Sequence, residues 1–147
     1  MSSTTRVHLL RHGEVHNPEK VLYGRMPGYH LSELGRKMAL LACEHVASFD
    51  LARLVSSPLE RAQETAQPMA ARFGLAVDID ERLLESTNVF EGQRVGVGDG
   101  VLRQPRTWRH LWNPFRPSWG EPYAEVADRV TAAVFDAVAA APGRDTV

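Results

Sequence analysis

The sequence predicts an α/β fold, a three-layer α/β/α sandwich with a mostly parallel central sheet. Three observations predict it. Short apolar runs at residues 7–10, 54–56 and 76–79 are separated by stretches of helical periodicity. The first two runs stop at Arg11-His12-Gly13 and at Ser57-Pro58, which are turn and helix-start signals. Strands and helices that alternate in this way build a parallel sheet with helices on its faces.

Val7-His8-Leu9-Leu10 reads as a strand buried on both faces, the pattern of a central parallel strand. Residues 14–31 carry Pro18, Gly24, Pro27 and Gly28 and read as loop. Ser32 is a helix N-cap. Leu34, Met38, Leu41, His45 and Phe49 follow at spacings of four, three, four and four, the expected buried face of the first helix. Leu54-Val55-Ser56 reads as a second buried strand. Pro58 fits the first turn of the next helix. Leu59, Ala62, Ala66, Met69 and Phe73 form its apolar stripe, and Gly74 closes it in a left-handed cap. Ala76-Val77-Asp78-Ile79 is a weaker strand. Residues 92–122 are rich in Gly and Pro and show no clean period. Val126, Val130, Val134 and Ala137 mark a last helix that stops near Pro142-Gly143, and Asp145-Thr146-Val147 looks like the start of another strand.

Composition narrows the class. A chain of 147 residues suits one domain. Hydrophobic residues at 44% and charged residues at 24% exclude a disordered chain, which could not offset the entropy of ordering. The net charge of -1 argues against a nucleic-acid partner, which needs many neutralised phosphates. Cys43 is the lone cysteine, so there is no internal disulfide; a small buried residue in a reducing compartment is expected. The start, Met1-Ser2-Ser3-Thr4-Thr5-Arg6, has no apolar segment of a targeting signal, and no run reaches the roughly 20 apolar residues of a membrane span. A cytoplasmic protein with no membrane partner is expected.

The chemistry concentrates at two predicted strand ends. Ligands of open α/β sheets bind beyond the carboxyl ends of the strands. His12, where the first run stops, is a nucleophile or base by residue type, or else simply a turn histidine. Arg11 beside it carries a planar fork of donors suited to phosphate. Ser56-Ser57-Pro58-Leu59-Glu60-Arg61-Ala62 follows the second strand and opens a helix, whose N-terminus favours anions. Arg61 in the first turn can face the same phosphate.

Taken together, Arg11-His12-Gly13-Glu14, Leu31-Ser32-Glu33-Leu34-Gly35, Ser56-Ser57-Pro58-Leu59-Glu60-Arg61-Ala62 with Thr65-Ala66, Arg82-Leu83-Leu84-Glu85 and Gly120-Glu121 resemble the histidine phosphatase superfamily, the group that includes the phosphoglycerate mutases. Order and spacing agree over nearly the whole chain. The resemblance implies a phosphoglycerate mutase-like fold and a small-molecule phosphate ester as substrate. It assigns His12 as the nucleophile that carries a phosphohistidine, and Arg11 and Arg61 as the phosphate clamp. Glu85 becomes the general acid that protonates the leaving oxygen and then the base for water. For that role Glu85 must hold a proton at neutral pH. No metal or other cofactor is required, since the histidine attacks and the arginines supply positive charge.

Several departures stand out. Asn17, the implied third phosphate contact, comes five residues after His12, where the family places its asparagine about six after. Glu91-Gly92 comes one place early relative to the family pattern, which keeps Glu91 open as the acid in place of Glu85. The family's second histidine belongs on a late strand, and the strand starting at Asp145 reaches none. On the resemblance the domain, residues 1–147, is expected to be incomplete at its C-terminus, with an unpaired apolar edge that favours association and a homo-oligomer.

Residues 93–121 read as a substrate-recognition insert. Between residues 101 and 120 there are four arginines, Arg103, Arg106, Arg109 and Arg116, and no acidic residue, with Trp108, Trp112, Phe115 and Trp119 interleaved. The alternative is a solvated loop whose tryptophans cover the core. On the resemblance, Tyr23, Gly24, Arg109 and Arg116 are expected to touch substrate. The leading expectation is a phosphomonoester hydrolase. Phosphoglycerate mutase-type transfer, or a degenerate domain that binds phosphate esters without turnover, stays open beside it.

Overall fold

The computed structural model describes residues 4–94, 105, 108 and 119–147. In chain order the described elements are β1 (Arg6–Val7), α1 (Glu33–His45), β2 (Leu51–Ser56), α2 (Glu60–Phe73), β3 (Val77–Ile79), a 3-10 turn (Glu81–Leu83), α3 (Tyr123–Ala140) and β4 (Asp145–Thr146). The sheet has the order β1-β4-β2-β3 and every pairing is parallel. The α/β class with a parallel sheet, expected from the sequence, is therefore what the chain forms. Helices α1 and α2 pack on each other, α2 lies on β2 and β3, and α3 packs on β1 and the 3-10 turn. No helix among the described residues is long and apolar enough to cross a membrane.

The core gathers where α1 and α2 meet β2. Cys43, Val46, Leu51, Leu54 and Met69 form its centre, with Phe49, Phe73 and Val147 against it. Cys43 is buried and free, as its residue type suggested. Gly74 caps α2 in the left-handed region at φ 65°, a conformation a side chain would oppose. Ser32 caps α1, its hydroxyl accepting from the Gly35 amide at 3.0 Å.

Four expectations are corrected. The first concerns α1, where the period is right but the phase is not. The buried stripe is Gly35, Ala39 and Cys43, while Leu34, Met38 and Leu41 are 55%, 46% and 64% exposed. Close approach is the reason. A Cβ on Gly35 would lie 2.0 Å from the Glu14 carbonyl oxygen, and one on Gly13 would lie 2.5 Å from the Gly35 carbonyl oxygen. Only the small-residue face lets α1 sit that near the loop after β1. The second concerns β1, which ends at Val7. His8 still donates its amide to Thr146, but Leu9 is 79% exposed, because it extends past the pairing with β4. Third, β2 begins three residues ahead of the predicted run, at Leu51, whose side chain belongs to the core. Last, Pro58 precedes α2 instead of standing in its first turn; Leu59 is the N-cap.

Candidate active site

Parallel pairing sends the carboxyl ends of β1 and β2 to one edge of the sheet, and both predicted strand-end motifs arrive there. Val7, His8, Leu9, Leu10, Arg11 and His12 line a cavity of about 650 Å³ together with Ser56, Ser57, Arg61 and Glu85. Leu54, Met69, Val130, Val134 and Ala137 give it an apolar wall.

His12 has a defined orientation. Its Nδ1 lies 2.8 Å from the carbonyl oxygen of Gly13, which can only accept, so the proton sits on Nδ1. The Nε–H of Arg61 points at Nε2 of His12 from 3.3 Å. This is the neutral tautomer with its lone pair on Nε2. Gly13 contributes twice: its carbonyl orients the ring, and its missing side chain admits α1.

Arg61, the second residue of α2, has no exposed surface. Its Nη2 donates to the Gly24 carbonyl at 2.6 Å and to Oε2 of Glu85 at 2.9 Å. Its guanidinium lies over the Tyr23 ring, 4.7 Å from the centroid, and Tyr23 stacks in turn on Tyr29. Nη1 is buried with no acceptor among the described residues, which leaves a charged donor for an anionic ligand. The loop that carries Tyr23 and Gly24 is tied to the helix that carries Arg61. Glu60 accepts from the Gly28 amide at 3.1 Å, and Glu64 accepts from the Leu31 amide at 2.8 Å. The Gly28 contact holds the Glu60 carboxyl below the usual carboxylate range.

The structure thus brings His12, Arg11, Arg61 and Glu85 to one cavity, with Tyr23 and Gly24 against Arg61. Asn17 is not among the lining residues. Both ends of its amide are engaged by Val21, Nδ2 donating to the carbonyl at 2.8 Å and Oδ1 accepting from the amide at 3.1 Å, so it closes a turn. Glu91 stands apart from the lining set as well. It packs on Gly24, where a Cβ would fall 2.1 Å from its Oε1. Arg109 and Arg116, with most of the expected insert, lie outside the described residues.

Of the remaining histidines that the sequence left without a role, His8 stacks on Phe49 at 4.6 Å, and His30 pairs with Glu64 at 2.5 Å. Sequence reasoning missed Arg25 and Arg129, which flank the segment carrying Glu85, and gave Glu121 no function. Arg129 and Glu121 pair across eight residues, but the contacts of Arg25 with Glu121 and of Arg129 with the Arg82 carbonyl span 96 and 47 residues, so no local pattern ties the group to Glu85.

A parallel α/β sheet that presents an oriented histidine and a buried arginine at its carboxyl edge defines a class, and the comparisons name it. The chain belongs to the histidine phosphatase superfamily, branch 1, whose family profile matches residues 7–147. Its relatives are more particular. It is 53% identical over 147 residues to an uncharacterized protein of Mycobacterium tuberculosis strain H37Rv, covering 100% of this chain and 73% of that one. It is 34% identical over 142 residues to glucosyl-3-phosphoglycerate phosphatase of the same strain, covering 93% of this chain and 62% of the phosphatase. The solved structure of YhfR from Bacillus stearothermophilus matches with a TM-score of 0.79 at 29% identity, over 98% of this chain and 72% of that one.

Proposed function

We propose that the chain hydrolyses phosphomonoesters through a phosphohistidine on Nε2 of His12. The observation that carries this reading is the His12–Arg61 geometry. One ring nitrogen is committed to the Gly13 carbonyl, and the other presents its lone pair beside a buried guanidinium that keeps a spare donor. Attack by Nε2 forms the N–P bond as the P–O bond to the leaving group breaks. Arg61 and Arg11 hold the nonbridging oxygens and offset their charge in the transition state. Glu85 gives its proton to the departing oxygen. Water then attacks the phosphorus and loses a proton to Glu85, and the N–P bond breaks to free inorganic phosphate.

A small phosphate ester is the partner on this reading, and the proposal takes the cavity as its site. Relatives in the family include a phosphatase for glucosyl-3-phosphoglycerate, which supports phosphatase chemistry in general. The test uses a nitrophenyl phosphate and a labelled phosphate ester. Release of phosphate, with an acid-labile and base-stable label on the protein that disappears in His12→Ala, is the expected result. A label on any other side chain, or phosphate release unaffected by His12→Ala, overturns it. Transfer of the label to an added alcohol in preference to water points to a mutase instead.

A further inference from the structure

The segment that carries Glu85 is held from two sides. Arg25, in the loop after β1, donates through Nε to the Glu85 carbonyl at 2.5 Å and through Nη2 to Oε2 of Glu121 at 3.0 Å. Arg129, on α3, donates through Nε to Oε1 of Glu121 at 2.8 Å and through Nη2 to Oε2 at 2.9 Å. The remaining nitrogen of Arg129, Nη1, donates to the Arg82 carbonyl. The Glu121 amide donates to the Thr87 carbonyl at 3.3 Å. One carboxylate therefore joins two arginines, and between them these groups bind the backbone at residues 82, 85 and 87. A bidentate Arg129–Glu121 fork fixes geometry as well as charge.

We propose that Arg25, Glu121 and Arg129 form a clasp that positions Glu85 against Arg61 and the cavity, with Arg25 as the positioning residue that reads directly onto Glu85. The proposal rests on the reading of Glu85 as the proton donor. The Glu85 side chain has 47% of its surface exposed, and its one ion pair among the described residues is to Arg61. A half-exposed carboxylate on an irregular segment has many rotamers, and proton transfer tolerates few of them. Binding the carbonyl of the same residue removes the backbone freedom that would otherwise multiply them. The clasp also explains why Gly120 precedes Glu121: a Cβ there would lie 2.4 Å from the Thr87 carbonyl oxygen and push the two segments apart.

The test compares the full chain with Arg25→Met, Arg25→Lys and Glu121→Gln. In Arg25→Met, kcat for an alkyl phosphate should fall about tenfold, kcat for a nitrophenyl phosphate should stay within about twofold, and KM should hold for both. Arg25→Lys should recover part of the alkyl rate. Glu121→Gln, which keeps the side-chain shape, should show the same leaving-group split if Arg25→Met does not fold. Independently of turnover, 13C relaxation of the Glu85 side chain should show more motion in the variants than in the parent. Equal losses for both esters, a change in KM alone, or unchanged Glu85 side-chain motion overturns the clasp. A parent chain that turns over neither ester sinks the functional reading, and the Glu85 relaxation then decides the clasp by itself.

Discussion

Oε2 of Glu85 lies 2.9 Å from Nη2 of Arg61, and the two ends of this ion pair live in different media. The guanidinium has no exposed side-chain surface, whereas 47% of the carboxylate residue is exposed. A buried cation depends on its few partners. Arg61 has the Gly24 carbonyl, the Tyr23 ring face, His12 and Glu85. Losing Glu85 leaves that buried cation without its ion-pair partner among the described residues, whereas losing Arg61 leaves a carboxylate that water can solvate.

Arg61→Met should weaken binding of inorganic phosphate or vanadate about 100-fold, the worth of one or two charge-assisted hydrogen bonds. Arg61→Lys should recover only part, because a single ammonium cannot reach His12, Gly24, Glu85 and a ligand together. Calorimetric titration measures both. Unchanged affinity in Arg61→Met would show that the anion binds elsewhere.

Glu85→Gln should separate substrates by leaving group. With an alkyl phosphate the rate should fall by about two to four orders of magnitude, the usual worth of general acid catalysis. With a nitrophenyl phosphate, whose leaving oxygen needs no proton, the loss should be much smaller. Steady-state rates on the two esters decide it, and equal losses argue against proton donation by Glu85.

Gly13→Ala should destabilise the fold by about 2 kcal/mol, the scale of overpacking a tight contact. The Cβ would meet the Gly35 backbone oxygen at 2.5 Å, and a helix backbone has little room to yield. The same displacement moves the carbonyl that orients His12, so rate and melting temperature should fall together. Denaturant unfolding and initial rates on one preparation report both.

The two faces of α1 should respond in opposite ways. Met38→Ala and Leu41→Ala remove exposed surface and should cost under about 1 kcal/mol, as surface changes do. Ala39→Leu forces a larger side chain into a buried contact and should cost about 1–3 kcal/mol. Urea midpoints for the three variants would reverse this order if the predicted Leu34–Met38–Leu41 face were the packed one.

Acid should loosen the segment around Glu85. The Glu121 carboxyl is held below its usual range first by its hydrogen bond from Arg129, and Asp80 first by its hydrogen bond from Arg82. A carboxyl depressed in the folded state favours folding when ionised. That contribution is complete above the unfolded value, about 4, and is lost as pH falls below it toward the folded value. Melting temperature should therefore show no loss from these groups between about pH 5 and 7 and should drop below about pH 4. Arg129→Met should flatten part of that drop, and an identical acid limb in the variant would remove Glu121 from the account.

Much of the fold was legible because its signals are local. Apolar runs of strand length, the Ser32 cap and the Gly74 cap each depend on a few neighbouring residues, whereas the buried residues of α2 are Arg61, Thr65 and Met69, of which the expected stripe held only Met69. The candidate site was legible for the same reason: the His12 and Arg61 motifs each follow a strand, and parallel pairing alone brings two strand ends to one edge. Asn17 shows the limit. Its residue type and rough position suit a phosphate contact, but the turn from Asn17 to Val21 takes up both ends of its amide.

What the sequence determined by itself was the alternation of elements, the parallel class, and the residue types that meet at the sheet edge. Tertiary structure alone decided the phase of α1. Hydrophobicity favours Leu34, Met38 and Leu41 as the buried face, yet the backbone contact between Gly13 and Gly35 admits only the small-residue side. It also decided what surrounds Glu85, because Arg25 on one side and Glu121 with Arg129 on the other come from distant parts of the chain. Periodicity reports which residues share a face. Only the packed neighbours, through steric limits and the pairing of buried charge, select which face turns inward and which carboxylate meets the arginine.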